Sequence, residues 1–260
     1  MGFLSDVTSA VRRRLEARPL DDVAMMSRAA ALPPPRDLAH ALAADGVAVI
    51  AEVKRASPSA GSIHDEADPV TTARAYVAGG AVAISVLTEP VHFHGSLLDL
   101  HAVRSAVDVP VMRKDFLIQP SQVIEARAHG ADAVLLIAAC LGDAELEAML
   151  AVARDLGMGS IVEAHADEDL DRALATDAAV IGVNARDLET LEVDVERALG
   201  LLRRIPHGRL RVMESGISGR ADVERAAAAG ASAILVGEAL MRAGDPVEKL
   251  RELRGEETPR

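Results

Sequence analysis

Short, unbroken apolar runs recur along the chain, separated by longer stretches in which apolar positions fall three and four apart. Three of the runs open on the same phrase, Gly-Ala-x-Ala followed by apolar residues. The copies are Gly80-Ala81-Val82-Ala83-Ile84, Gly130-Ala131-Asp132-Ala133-Val134 and Gly230-Ala231-Ser232-Ala233-Ile234. A unit of about 25 residues divides both spacings between them. Each copy follows an Ala-rich helical pattern, and a glycine just past such a pattern marks a helix C-terminus. The Val-, Ile- and Leu-rich run that follows reads as a strand buried on both faces. This unit predicts eight strands, near 48–54, 82–87, 109–114, 132–138, 159–163, 179–184, 209–214 and 232–236. Amphipathic helical patterns lie between them, for example at 121–129, 143–156 and 219–229.

Strict alternation of strand and helix implies a parallel α/β sheet. Eight such units fit a closed (β/α)8 TIM barrel. The alternative, a doubly wound sheet, usually carries a Gly-rich dinucleotide turn after its first strand, which Glu52-Val53-Lys54-Arg55 does not provide. The expected organisation is one barrel domain over 1–260, with an N-terminal helical extension at 1–47, the barrel at 48–254 and a frayed tail at 255–260. The extension carries Val7, Val11 and Leu15 at helical spacing, a second short pattern and then Pro33-Pro34-Pro35. It is too short for a domain and is expected to cover one end of the barrel.

Composition narrows the partners. At 260 residues, half of them hydrophobic, the chain suits one barrel. No apolar run reaches the roughly 18 residues a membrane span needs. The N-terminus lacks the apolar segment of a secretory leader, so the expected location is cytoplasmic. A formal net charge of −12 disfavours nucleic acid and anionic membranes. The single cysteine, Cys140, excludes an intramolecular disulfide and fits a reducing compartment. It follows Val134-Leu135-Leu136-Ile137-Ala138-Ala139 and reads as a small buried hydrophobe rather than a nucleophile.

Barrel enzymes place their chemistry at the C-terminal strand ends, and here those ends are polar. The first closes on Glu52 and Lys54, two apart and therefore on one face; Arg55–Gly61 then forms a flexible polar loop of the kind that contacts ligands. The third closes on Lys114, a residue type that serves as general acid, anion ligand or Schiff-base former. The fifth closes on Glu163, the sixth on Asn184 followed by Arg186, and the seventh on Glu214-Ser215-Gly216. Charged or amide groups at five ends point to one polyfunctional site. Phe93 and Phe116, in a chain with three Phe, one Tyr and no Trp, fall just past strand ends and suggest apolar walls for a planar substrate. His92 and His94 alternate as a metal chelate would, but no third ligand is near, and two loop histidines around Phe93 is the preferred reading. The turns at Ser215-Gly216-Ile217-Ser218 and Gly237-Glu238-Ala239-Leu240-Met241 suit a phosphate held by backbone N–H groups. Glu238 would then have to point away from it.

Taken together, Ile50-Ala51-Glu52-Val53-Lys54-Arg55-Ala56-Ser57-Pro58-Ser59, Ser85-Val86-Leu87-Thr88-Glu89, Arg113-Lys114-Asp115-Phe116, Val162-Glu163, Ile181-Gly182-Val183-Asn184, Arg186-Asp187-Leu188, Glu214-Ser215-Gly216-Ile217 and Val236-Gly237-Glu238 resemble, in order, the strand-end motifs of indole-3-glycerol-phosphate synthases. The resemblance implies ring closure of 1-(2-carboxyphenylamino)-1-deoxyribulose 5-phosphate, with loss of carbon dioxide and then water, in tryptophan biosynthesis. It implies that Lys114 is the general acid at the substrate carbonyl and that Glu163 assists loss of the hydroxyl or takes a proton. Lys54 would bind the anthranilate carboxylate, with Arg186 as a further contact on that side. Glu52, Asn184 and Glu214 would form the orienting polar shell. Ser57, Ser215, Gly216, Gly237 and Glu238 would fall on the substrate and its phosphate, and Phe93, Phe116, Leu135 and Leu235 in the substrate pocket. The chain departs from the pattern at Ala185, where many relatives carry a second Asn, at His92 and His94 around Phe93, and at Ala164, where Val is usual.

The implied chemistry requires no metal and no organic cofactor. The expected partner is a small phosphorylated substrate. The chain is expected to be a monomer, with contact to other tryptophan-pathway enzymes left open. Clustered charges are expected to tune the lysines for proton transfer, since a free lysine near pKa 10.4 is a poor acid–base catalyst at neutral pH. The competing readings are another phosphosugar-acting barrel, either a Schiff-base aldolase using Lys114 or Lys54 or an isomerase, and a barrel that binds a phosphate ligand without catalysis.

Overall fold

The computed structural model describes residues 2–57, 61–62 and 67–256, excepting the side chains of residues 57, 61 and 62. Three helices come first: α1 (Phe3–Ala17), α2 (Asp22–Ala30) and α3 (Leu38–Leu42). Strand β1 (Ala48–Val53) leads through a short antiparallel pair, β2 (Ala56–Ser57) and β3 (Gly61–Ser62), to α4 (Pro69–Ala78). There follow β4 (Ala83–Leu87), α5 (Leu97–Ala106), β5 (Val111–Lys114), α6 (Pro120–Ala128) and β6 (Ala133–Ile137). A 3-10 turn at Ala138–Cys140 precedes α7 (Asp143–Asp155), β7 (Gly159–Ala164), α8 (Asp167–Ala175) and β8 (Val180–Asn184). The chain ends with α9 (Val195–Arg204), β9 (Leu210–Glu214), α10 (Arg220–Ala228), β10 (Ala233–Val236), α11 (Glu238–Met241) and α12 (Pro246–Arg254). Eight parallel strands close on themselves in the order β1-β10-β9-β8-β7-β6-β5-β4, so the expected (β/α)8 barrel is present.

Strand pleating explains why the apolar runs are unbroken. Alternate residues face opposite sides of a strand, and in this barrel both sides are dry. Ile50, Met112, Leu135, Ile161, Val212 and Leu235 fill the barrel interior. Their neighbours Val49, Ile84, Val134, Leu136, Val162 and Ile234 pack outward under the helices. The repeated phrase has a matching cause. Gly80, Gly130 and Gly230 each take φ of 92 to 94°, the left-handed conformation that ends a helix cheaply only when Cβ is absent. The second alanine of each copy, Ala83, Ala133 and Ala233, lies inside the barrel near its N-terminal end, with Ala48 and Gly159.

Those small residues leave room for a plug. α3 packs on β1, β4 and β7, and its Leu38 and Leu42 are buried with the barrel interior. Leu38 Cβ lies 3.1 Å from where a side chain on Gly159 would begin. Asp132 ties down the segment leading into α3, accepting the Arg36 N–H at 2.8 Å and the Val111 N–H at 2.9 Å, while Arg104 Nε lies 2.8 Å from its carboxylate. The extension therefore does not cover a single end, as the sequence pattern suggested. α3 seals the N-terminal end, α2 lies against α6, and Phe3 at the start of α1 stands at the opposite, open mouth. At the other terminus, α12 stops on Gly255 in the left-handed conformation, and residues 257–260 lie outside the described residues. None of the described helices is long and apolar enough to cross a membrane.

Because Leu42 is fully buried in that plug, Leu42→Ala is expected to cost about 2–5 kcal/mol, the range for emptying a well-packed leucine site. Urea unfolding checks this; a loss below about 1 kcal/mol would mean that the floor is sealed without α3.

Candidate active site

The mouth of the barrel holds a cavity of about 400 Å³. Strand parity decides which polar groups reach it. Glu52, Lys54, Lys114, Glu163, Asn184 and Glu214 continue the inward-facing series of β1, β5, β7, β8 and β9, and all six line the cavity. Outward-facing neighbours hold the strand ends in place. Arg113, fully buried behind Lys114, donates to Asp115 Oδ2 at 2.9 Å, to Glu125 Oε2 at 2.8 Å and to Thr88 Oγ1 at 3.1 Å. Asp115 in turn accepts the Phe116 N–H at 2.9 Å. This network presents Lys114 and Phe116 on the cavity side.

Lys114 is the hub. Its Nζ donates to Glu214 Oε2 at 2.6 Å and to Glu163 Oε2 at 3.1 Å. Asn184 Nδ2 donates to Glu163 Oε1 at 3.3 Å, and Asn184 Oδ1 accepts the Arg186 N–H at 3.0 Å. Across the mouth, Lys54 Nζ donates to Glu52 Oε1 at 2.8 Å. Burial disfavours the charge on Lys114, but Glu163, Glu214 and Glu52 outweigh it and hold its pKa above the ordinary lysine value. The expected tuning toward neutrality is therefore reversed: the carboxylates keep this lysine cationic. Burial also opposes ionisation of Glu163, yet Lys114 and then His165 hold it below the usual carboxylate range. Burial, and then the charge of Glu163, push Glu214 up to about 8.

Two glycines make room for these acids. A Cβ on Gly182 would sit 2.5 Å from Glu214 Oε1, and one on Gly237 would sit 2.4 Å from Glu52 Oε1. Gly182 was not among the site residues read from the sequence. Its place facing inward on β8 is the signal that could have found it. Glu214 Oε1 is buried against Gly182 and accepts no hydrogen bond from an N–H among the described residues.

The apolar half of the cavity is walled by Leu135, Leu235, Phe93 and Phe116, as expected, and also by Phe3, so that every phenylalanine of the chain is there. Phe3 meets Phe116 edge-on at 6.1 Å between centroids, and Phe93 lies 6.4 Å from Phe116. Glu89 builds the loop that carries Phe93: its carboxylate accepts the N–H groups of Val91, His92 and Phe93 at 3.0, 2.6 and 3.2 Å. His92 packs against the Phe3 ring at 5.1 Å. Among the described residues no group of three or more His, Cys, Asp or Glu is arranged to hold a metal ion.

Ser215, Gly216, Gly237 and Glu238 line the far side with Arg186. Ser215 and Gly216 both adopt positive φ, 64° and 72°; for a serine that conformation costs about 1–2 kcal/mol, and it turns the chain sharply at the end of β9. Glu238 is among the residues that line the cavity. Its charge is offset by Arg242 at 3.0 Å and Arg186 at 3.8 Å. Arg242, a cavity residue the sequence reading missed, is one helical turn from Glu238. The Ser57 side chain lies outside the described residues, as do residues 58–60 of the loop expected to contact ligand. Within the described part of that loop, Arg55 is clamped to Asp99 at 2.6 and 3.0 Å. Ala164 and Ala185, two of the departures from the family pattern, pack into the outer core rather than the cavity. Cys140 is half-buried, and burial pushes its thiol pKa up, away from a thiolate nucleophile.

Known proteins are similar to this chain in fold and in sequence. Two solved structures have similar backbones: thiamine phosphate pyrophosphorylase from Pyrococcus furiosus (TM-score 0.61, 18% identity, covering 84% of this chain and 96% of that one) and 3-hexulose-6-phosphate synthase from Salmonella typhimurium (TM-score 0.66, 13% identity, covering 80% and 97%). At such identities the likeness establishes the barrel alone. Sequence relatives reach further. Indole-3-glycerol phosphate synthase of Mycobacterium avium is 55% identical over 225 residues, covering 86% of this chain and 83% of that protein. Indole-3-glycerol phosphate synthase of Micrococcus luteus is 49% identical over 98% of this chain and 97% of that protein. The family model described as indole-3-glycerol phosphate synthase matches residues 3–253. By that match and those relatives, the chain belongs to the indole-3-glycerol phosphate synthase family.

Proposed function

We propose that the cavity closes the indole ring of 1-(2-carboxyphenylamino)-1-deoxyribulose 5-phosphate, with Lys114 as the general acid. Membership of the family makes the chain a carboxy-lyase of tryptophan biosynthesis acting on a phosphorylated small molecule. The observation that carries the residue assignment is the buried Lys114 held between Glu163 and Glu214. A lysine kept cationic is a poor nucleophile, which disfavours a Schiff-base aldolase. It is suited to stabilising an oxyanion and giving it a proton.

The anthranilate ring lies against Phe93, Phe116, Leu135 and Leu235, with its carboxylate toward Lys54 and Arg186. The ring carbon that bears the carboxylate attacks the ribulose carbonyl carbon, and the carbonyl oxygen takes a proton from Lys114. Carbon dioxide then leaves, its bonding electrons restoring the aromatic ring. The new hydroxyl departs as water, taking a proton from Lys54, and Glu163 assists that loss or removes the proton released as the indole forms. Glu52, Asn184 and Glu214 orient these groups and the ribulose hydroxyls. The phosphate lies at Ser215-Gly216 and Gly237, with Ser57 on the same ligand. Glu238, paired with Arg186 and Arg242, borders that phosphate. The working unit in this reading is a monomer. The acidic charge and the single cysteine support a cytoplasmic setting.

The purified protein with this substrate is expected to generate indole fluorescence without added metal. Lys114→Ala should lower turnover by about 10²–10⁴-fold while substrate binding persists; near-normal turnover in that variant would remove Lys114 from the role. Ionisation of Glu214 as pH rises through about 8 adds a negative charge beside Lys114 and makes its proton harder to release. kcat is therefore expected to fall through that range, and Glu214→Gln, which cannot ionise, should lose the alkaline limb. A limb at the same pH in the variant would assign it to another group. The folded value of Glu214 exceeds the ordinary 4.5, so the stability this group contributes is complete below 4.5 and is lost as pH rises toward about 8. Urea unfolding of wild type and Glu214→Gln across that window reads this directly.

A further inference from the structure

His165 has no part in the mechanism above, yet it is buried beside the proposed proton acceptor. It lies two residues beyond Glu163, between β7 and α8, so the chain returns to the same side. Its Nε2 is 2.9 Å from Glu163 Oε1, and its Nδ1 is 4.0 Å from Asp169 Oδ2. Neither ring nitrogen has an aligned hydrogen bond among the described residues. Asp169 Oδ2 also accepts the backbone N–H groups of His165 and Ala166, both at 3.2 Å, and so holds the peptide that carries the ring.

The groups around Glu163 come from every side of the mouth. Lys114 approaches from β5 and Asn184 from β8. Glu214 on β9 shares Lys114 with Glu163, and Glu52 on β1 also acts on Lys114. The Cys140 thiol lies in its field from the turn after β6, and Asp169 stands behind His165 on α8. Two buried carboxylates thus meet one ammonium, and in a dry site one of them tends to keep a proton. The surroundings are unequal. His165 and Asn184 both bear on Glu163 Oε1, whereas Glu214 Oε1 accepts no hydrogen bond from an N–H among the described residues.

We propose that His165 is a positioning residue that fixes the ionised carboxylate on Glu163 and leaves the shared proton on Glu214. His165 thereby sets which acid of the pair is free to accept a proton during dehydration. The proposal rests on the reading of Glu163 as the group that assists that step.

The test is indole formation from pH 5 to 9 by wild type, His165→Phe and His165→Gln. Phe fills the space without an N–H, and Gln restores a donor. His165→Phe is expected to lower kcat about 10-fold with KM within about twofold, and to move the alkaline limb of kcat, set by Glu214, down by roughly one pH unit as the shared proton is held less firmly there. His165→Gln should return kcat to within about threefold of wild type and return the limb toward its original place. An unmoved alkaline limb in folded His165→Phe, or an effect confined to KM, overturns the proposal. Should His165→Phe fail to fold, ¹³C NMR titration of the glutamate carboxylates gives the answer with position 165 intact. The signal that titrates at the higher pH must vanish in Glu214→Gln; its loss in Glu163→Gln instead overturns the proposal. A wild type that makes no indole refutes the functional reading itself, whereas an active wild type whose pH profile ignores position 165 refutes only the role of His165.

Discussion

Lys114 brings a positive charge into a dry barrel mouth only because Glu163 and Glu214 meet it there, at 3.1 and 2.6 Å. Removing either charge type would strand the other in a medium that solvates ions poorly. Lys114 and Glu163 therefore depend on each other, and much of the surrounding structure serves to keep the three groups together. Arg113 and Asp115 anchor the end of β5 from behind, Gly182 leaves space for Glu214, and Asn184 and His165 bear on Glu163. The same enclosure fixes the chemistry. A lysine surrounded by carboxylates stays protonated, which suits a proton donor and disfavours a covalent nucleophile.

The cavity lining divides between charged groups and a wall of aromatic and aliphatic side chains. That division matches a substrate with a planar ring at one end and a phosphate at the other. Phe3, Phe93 and Phe116 form one cluster, although they come from the N-terminal extension and two separate strand ends. The extension is thus part of the site as well as part of the scaffold. Its third helix closes the floor with Leu38 and Leu42, while its first residues stand beside the ring pocket.

Glu238 shows how an acidic residue can border a proposed phosphate site. Bare, it would repel the ligand; between Arg186 and Arg242 its charge is offset. The Arg242 pairing is the four-residue spacing of a helix, but the Arg186 pairing does not follow from linear spacing, because Arg186 approaches from the end of β8, far away in the chain.

Strand positions, the inward set of polar residues and the family motifs were legible in the amino-acid order alone. Each depends on local regularities: glycine after a helix, apolar runs buried on both faces, and a two-residue alternation that carries Ile50 to Glu52 or Ile161 to Glu163 onto one side. The polar termini of β1, β5, β7, β8 and β9 could therefore be assigned to one mouth once a closed ring was assumed. Tertiary structure alone decided the rest. Phe3, His165 and Arg242 carry no local mark of function; they matter through what the closed barrel sets beside them. The direction of the Lys114 shift was likewise beyond linear reasoning, because it depends on how many carboxylates lie within reach and how little water does. Neighbouring residues along a chain determine which side a group faces, but only folding determines which distant charges it meets there.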